Sequence, residues 1–343
     1  MNIIQKKEWL IARREKLQDY DDYKFVFESA NKSIYIITKN LESPEKVSSS
    51  PRSGVMRGAR RRAEASLEEV IYGYSAGHSV LELSLFFRQV VTHWNDSTKH
   101  HLSFEVSNEN DGHKIPHLDL YDTDYWIALQ LICFAILLNH SAELHNIMDL
   151  LVHENDDQDA LLEALVASYL PGRPGSTIYT RQLPYRKTRH IFQAEPDQRP
   201  ALMARYLKEW YLASRREPYH NRHKSALFPG YWSLEAGAIT FILGIDDSTY
   251  RDMPFYPKDL VDYARSVSSP PNPSKPIVPH PPRKAAGEIC PKTGWWLTMA
   301  KANSLRYFQQ GVKFPNIEGS DYGLTFWQWS QDQLPPPMIN TEQ

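Results

Sequence analysis

The sequence predicts an all-α fold: a helical bundle or α-α superhelix-like body followed by a small β-rich C-terminal tail. Three observations carry this expectation. Apolar residues recur at three- and four-residue steps through most of residues 5–265, the period of a helix buried on one face. Glycine is scarce, at 15 of 343 residues, which disfavours folds dense in tight turns. Beyond a proline-rich stretch the pattern becomes short, aromatic and alternating, as in strands.

Residues 5–40 read as two helices broken near Asp19–Asp22, and Tyr23, Val26, Phe27, Ala30, Ile34 and Ile37 mark the buried stripe of the second. Residues 43–56 read as a polar loop, and Arg57–Arg62 as a basic run on a solvated helix face. Leu67–Tyr74 is apolar-periodic, and Ser75-Ala76-Gly77 turns the chain into a helix over Val80–Trp94. Residues 95–120 are polar and rich in histidine, with no clear period. Helices are expected from Asp124 to Leu138, from Leu144 to Val152 and from Ala160 to Leu170. Pro171–Gly175 breaks the pattern, and residues up to about 197 read as loop. Pro200 opens a helix that buries Leu202, Tyr206, Trp210 and Ala213.

Pro229-Gly230 then breaks the chain before a helix expected over Tyr231–Leu243. Trp232, Ala236, Ile239 and Leu243 fall on one face of it, with Glu235 on the adjoining strip. Glu235 reads as a structural acid paired with an arginine or a helix terminus. Gly244 suits the position just past the helix, where a left-handed backbone costs little. Asp246 and Asp247 read as caps of a next short helix, and Tyr256-Pro257 as the start of another. Ser268–Pro282 belongs to a proline-rich linker, expected to be extended. Gly294–Thr298, Arg306–Phe308 and Thr325–Trp329 read as strands of a small aromatic element.

Composition sets bounds. A hydrophobic fraction of 41% with 23% charged residues supports a folded core. The net charge of -2 gives no bulk attraction to nucleic acid. Two cysteines, Cys133 and Cys290, do not make a disulfide scaffold and fit a reducing compartment. Met1–Glu8 has no apolar stretch, and Trp126–Leu138 is too short to span a bilayer, so a cytoplasmic protein without a membrane partner is expected.

Charge is segregated. Thirteen acids lie between Phe104 and Glu163, with Lys114 the only basic residue; from Arg173 to Lys224 the sign flips, with twelve basic residues against four acids. Both stretches read equally as solvated helix faces. Alternatively, the acidic stretch, with Asp119, Asp122, Asp124, Glu154, Asp156, Asp157 and Asp159, faces a basic partner and speeds encounter with it.

Catalytic motifs are weak. Gly73-Tyr74-Ser75-Ala76-Gly77 matches the G-x-S-x-G nucleophile elbow, and Asp246 and His280 follow in the right order. The charged Ala65–Val70 segment is a poor central strand, however, and a tight helix-turn-helix at Gly77 explains the motif without catalysis. The histidines have no zinc-ligand spacing, and Asp246-Asp247 reads as capping before a metal dyad. No catalytic residue, cofactor or metal is therefore assigned.

Several segments resemble a known family. Gly230–Ala238 (GYWSLEAGA), with Gly244–Ser248 and Tyr256–Leu260 (YPKDL), resembles the C-terminal domain of the PoNi-type immunity proteins, which neutralise bacterial nuclease toxins. Tyr74–Ser79 with the following helix resembles the family's N-terminal domain, and Tyr206–Tyr211 a helix carrying an aromatic pair. Cys290–Trp296, Arg306–Gly311 and Asp321–Trp329 resemble a module appended to other bacterial immunity proteins. The resemblance implies an all-α fold without enzymatic activity. It further implies stoichiometric occlusion of a cognate polymorphic toxin, often a DNase effector delivered by a contact-dependent route such as type VI secretion. Its motif residues here are Tyr74, Gly77, Trp210, Tyr231, Trp232, Glu235, Asp246 and Asp247. The expected division is an N-terminal immunity domain over 1–120, a C-terminal one over 121–265, a linker over 266–286 and a tail module over 287–343. A homodimer, a serine hydrolase using Ser75 and an adaptor for toxin loading stay open as alternatives. The His-rich segment at 95–120 departs from the family's pattern.

Overall fold

The computed structural model describes residues 1–107, 116–152, 155, 158–173, 175–271, 284–298, 304–317 and 325–330. The chain divides into two compact units, residues 1–172 with 179–277, and residues 173–178 with 278–343. The described residues carry a mostly α body and a small antiparallel sheet, the fold class the sequence predicts.

In the first unit α1 (Lys6–Ala12) and α2 (Tyr20–Leu41) are separated by Asp19, whose side chain caps α2 by accepting from the Asp21 and Asp22 amides. The expected polar loop at 43–56 is instead helical: Ser43 caps α3 (Pro44–Ser49), and α4 (Arg52–Ala76) begins just after Pro51. The basic run therefore sits inside α4 and is not simply solvated. Arg62 is buried, hydrogen-bonded to Thr38 and paired with Asp96; Arg60 and Arg61 pair with Glu64, Glu68 and Asp124.

Helix α5 (Val80–Ser107) runs well beyond Trp94; the polar residues that follow are mostly half-buried, and Ser97 is buried. Gly77 reverses the chain between α4 and α5. It adopts φ +99, and the amides of Gly77 and His78 return to the Tyr74 and Gly73 carbonyls. A Cβ at Gly77 would sit 2.3 Å from the Ala12 carbonyl oxygen, so this close approach requires glycine.

Next come α6 (Asp124–Leu137), α7 (Leu144–Val152), α8 (Ala160–Val166), α9 (Thr188–Gln193) and α10 (Arg199–Ala213). Helix α9 lies in the segment read from sequence as loop; it is only 6 residues long, too short to show a period. Helix α11 (Leu234–Ile242) starts three residues later than the sequence suggests, since Tyr231–Ser233 is spent on side-chain contacts. Gly244 ends it at φ 59, with the Ile245 amide on the Thr240 carbonyl. Pro257 precedes α12 (Lys258–Val267). One core of buried side chains runs continuously from α4 to α12. No helix among the described residues is long and apolar enough to cross a membrane.

In the second unit β1 (Lys284–Ala285), β2 (Gly294–Leu297), β3 (Arg306–Phe308) and β4 (Phe326–Trp329) form an antiparallel sheet in the order β1-β4-β2-β3. Alternation puts Trp296, Phe308 and Trp327 into a core with Cys290 and Phe314, and Trp329 packs against it. Trp295 and Tyr307 meet edge-on as a cross-strand pair in register. Cys290 is buried, its thiol donating to the Lys292 carbonyl.

Candidate partner-binding surface

Ser75 lies in the last turn of α4, fully buried, not on a strand-to-helix elbow. Its hydroxyl donates to the Pro229 carbonyl and accepts from the Trp232 indole N–H at 2.8 Å. No imidazole is among these partners, so the group has no general base to activate it. The motif instead clasps residues 229–232 to the end of α4. Tyr74 packs edge-on against Trp232, with ring centroids 4.8 Å apart, and the Arg14 guanidinium covers its ring at 4.7 Å. Gly230, at φ +110, has no room for a Cβ, which would meet the Ser75 hydroxyl at 2.5 Å.

Glu235 is buried, and one carboxylate oxygen accepts from the Tyr206 hydroxyl, the Trp210 indole and the Ser233 hydroxyl, each at 2.7 Å. These side-chain partners are neutral donors and none is an arginine; Glu235 does lie in the first turn of α11, the helix terminus that the sequence allowed for. Burial pushes the Glu235 carboxyl above its ordinary value, and the three donors oppose that shift.

Asp246 and Asp247 do not cap a helix. Asp246 is exposed and accepts from the Ser248 amide in a turn. Asp247 is buried and holds Arg265 at 2.8 Å, the Tyr256 hydroxyl at 2.9 Å and Arg251 at 3.3 Å. Burial alone would raise its carboxyl, but the Arg265 and Tyr256 hydrogen bonds and the guanidinium charges outweigh it and hold the group low. Tyr231 accepts or donates at His223 Nδ1 at 2.7 Å, and its amide donates to Glu15.

The acidic residues separate into three groups. Asp119 and Asp122 lie on the 119–123 turn that precedes α6, half-buried and exposed respectively, and each accepts from a local amide. Asp124 opens α6 and pairs with Arg60 at 2.6 Å. The turn is tied down on both sides: Asn155 donates to the Leu118 carbonyl, and Arg181 donates to the Tyr121 and Asp122 carbonyls. Asp159, by contrast, is 1% exposed and cannot face a partner. It caps α8 by accepting from the Leu161 and Leu162 amides and takes two more hydrogen bonds from Thr180. A helix cap and a surface acid have the same local sequence; only the 180s segment folding over Asp159 separates them. Glu154, Asp156 and Asp157 lie outside the described residues.

The basic stretch does not pair broadly with the acidic one among the described contacts. Lys187 and Arg205 both hold Glu209, within the basic stretch itself. Among the described residues no group of His, Cys, Asp or Glu is arranged to hold a metal ion.

Sequence reasoning missed a cleft of about 480 Å3 between α4, α6 and residues 218–234. Glu64, Glu68 and Asp124 line it along with Trp126, Tyr219 and Trp232. The spacing of Glu64, Glu68 and Ile71 along one stripe of α4 was the available signal, but the opposing wall comes from distant chain. The Trp126 indole donates to the Tyr185 hydroxyl at 2.9 Å, and that hydroxyl meets Tyr219's at 3.0 Å, which fixes the rings.

The fold and these contacts define a mostly α body whose distinctive residues serve as internal ties. Residues 157–260 match the family model of the PoNe immunity proteins (PoNi), C-terminal. The crystal structure of protein PA2201 from Pseudomonas aeruginosa has the same fold, with a TM-score of 0.62 at 22% identity, covering 78% of this chain and 99% of that one. No curated protein matches the sequence.

Proposed function

We propose that this chain is a cytoplasmic immunity protein that binds the nuclease domain of a cognate secreted toxin and neutralises it by stoichiometric occlusion. The observation that carries this reading is the PoNi match over residues 157–260. The toxin is a DNase of a polymorphic system, delivered by contact-dependent secretion such as type VI. Residues 1–120 and 121–265 serve as the two immunity domains, and the module at 287–343 is an addition to them. The chain acts on the toxin protein, without contacting nucleic acid.

A nuclease surface built to hold phosphate is basic, so an acidic face suits it. The described acids assigned to that face are Asp119, Asp122 and Asp124, and the buried Asp159 leaves the set; Glu154, Asp156 and Asp157 belong to the same acidic stretch of sequence. Co-expression with the neighbouring toxin gene tests the reading. Survival of the cells together with a stable complex in a tagged pull-down is the expected result. Death of the cells without a complex overturns it. A chain lacking residues 286–343 should still protect; if only the full chain does, the adaptor reading gains.

A further inference from the structure

We propose that the cleft between α4, α6 and residues 218–234 is a receptacle for an arginine side chain presented by the partner. This rests on the immunity reading and specifies which chemistry of the toxin is recognised. The size, about 480 Å3, lies within the range of about 300–1,000 Å3 typical of ligand pockets.

The charge of the lining points to a cation. Glu64, Glu68 and Asp124 line the cleft with three carboxylates against Arg222, and the buried Glu235 behind them adds no charge. Arg60 and Arg61 pair with the first three but line the neighbouring cavity on the far side of them. Arg60 is drawn further that way, with its guanidinium over Trp94 at 4.9 Å and a hydrogen bond to the His117 carbonyl. Glu64 and Asp124 line both cavities and Glu68 the cleft alone, each held by an arginine of the neighbouring cavity. They stay partly open, with side-chain exposures of 31% for Glu64, 37% for Glu68 and 20% for Asp124. Each carboxylate accepts up to about four hydrogen bonds, so capacity remains toward the cleft.

The aromatic walls select a planar cation over a compact one. Two of the cleft's rings already carry guanidinium groups of the same chain: Arg181 covers Trp126 at 4.6 Å and Arg14 covers Tyr74 at 4.7 Å. A guanidinium stacks on such rings and bridges carboxylates with a fixed fork of donors, which an ammonium does not. Tyr, Trp and Arg are also the residues on which binding energy concentrates at protein interfaces.

The test uses the full chain with 15N-labelled indoles, titrated with N-acetyl-L-arginine amide and, separately, the neutral near-isostere N-acetyl-L-citrulline amide. The indole N–H signals of Trp126 and Trp232, assigned by single Trp→Phe variants, should shift saturably with the arginine amide. The citrulline amide should bind at least about fivefold more weakly. Glu68→Gln should weaken the arginine amide about threefold or more while leaving the melting temperature nearly unchanged, because the Arg61–Glu68 pair it removes is surface-exposed. Equal shifts from both amides, or no shift at either indole, overturns the proposal. So does unchanged arginine affinity in Glu68→Gln. Protection in the co-expression assay reads out separately: a failed titration with surviving cells removes the arginine receptacle only, and a saturable titration with dying cells removes the immunity reading only.

Discussion

Glu235 gives the sharpest test of how this body is held together. Its carboxylate is 2% exposed and collects three donors at 2.7 Å, from Tyr206 and Trp210 on α10 and Ser233 before α11. Glu235→Ala leaves all three donors buried without that acceptor. At about 1–1.5 kcal/mol for each, the loss is about 3–5 kcal/mol, or on the order of 10 °C in melting temperature. Glu235→Gln keeps an acceptor oxygen and resembles the protonated acid, so it should cost only about 1 kcal/mol.

The pH dependence follows from the direction of the carboxyl shift. Burial raises the folded-state value above the ordinary 4.5. A raised carboxyl holds its proton more tightly when folded than when unfolded. Its stabilising contribution is therefore complete below the unfolded value and is lost as pH rises through the folded one. The stability advantage of the wild type over Glu235→Gln should shrink as pH rises above the ordinary carboxyl value of 4.5. Urea unfolding followed by tryptophan fluorescence at several pH values measures all three proteins. If Glu235→Gln costs as much as Glu235→Ala, with a difference that does not change with pH, the carboxylate is ionised in the fold and the argument is wrong.

Other expectations concern the ties and the surface. Gly77→Ala should lose at least about 2 kcal/mol in chemical denaturation, since it places a Cβ 2.3 Å from a backbone oxygen at a left-handed position. Ser75→Ala should cost about 1–3 kcal/mol, because it strands the Trp232 indole and the Pro229 carbonyl; it should leave any ester turnover by the preparation unchanged, and abolished turnover would revive the hydrolase reading. Asp247→Asn should cost about 2 kcal/mol at neutral pH. The Asp247 carboxyl is held low in the fold, so its contribution is present above the unfolded value of about 3.8 and lost as pH falls through the folded one; the deficit of Asp247→Asn should narrow in acid melts. Asp119→Lys with Asp122→Lys should slow toxin association and flatten its salt dependence in stopped-flow measurements, without changing the melting temperature appreciably.

Helix periodicity and local punctuation were legible in the sequence because both are short-range. The stripe from Tyr23 to Ile34 marks the buried side of α2, the break near Asp19 falls just before it, and Gly77 and Gly244 end their helices, since each effect acts within a few residues. The alternation of Trp295, Trp296, Tyr307 and Phe308 likewise located the strands of the tail. The short helix α9 and the extension of α5 past Trp94 were not legible, because neither carries a full apolar stripe of its own.

The roles of individual polar residues were decided by tertiary structure. From sequence, Asp159 belongs with its acidic neighbours; in the fold, Thr180 covers it and makes it a buried cap. From sequence, Ser75 sits in a nucleophile motif; in the fold, Trp232 and Pro229, more than 150 residues away, take up its hydroxyl. The cleft depends on the same kind of placement, joining a stripe of α4 to rings on α6 and on residues 218–234. A residue's periodicity fixes which side of its own helix it occupies, whereas its partners and exposure depend on which distant segment is brought against that side, and that is settled only when the whole core closes.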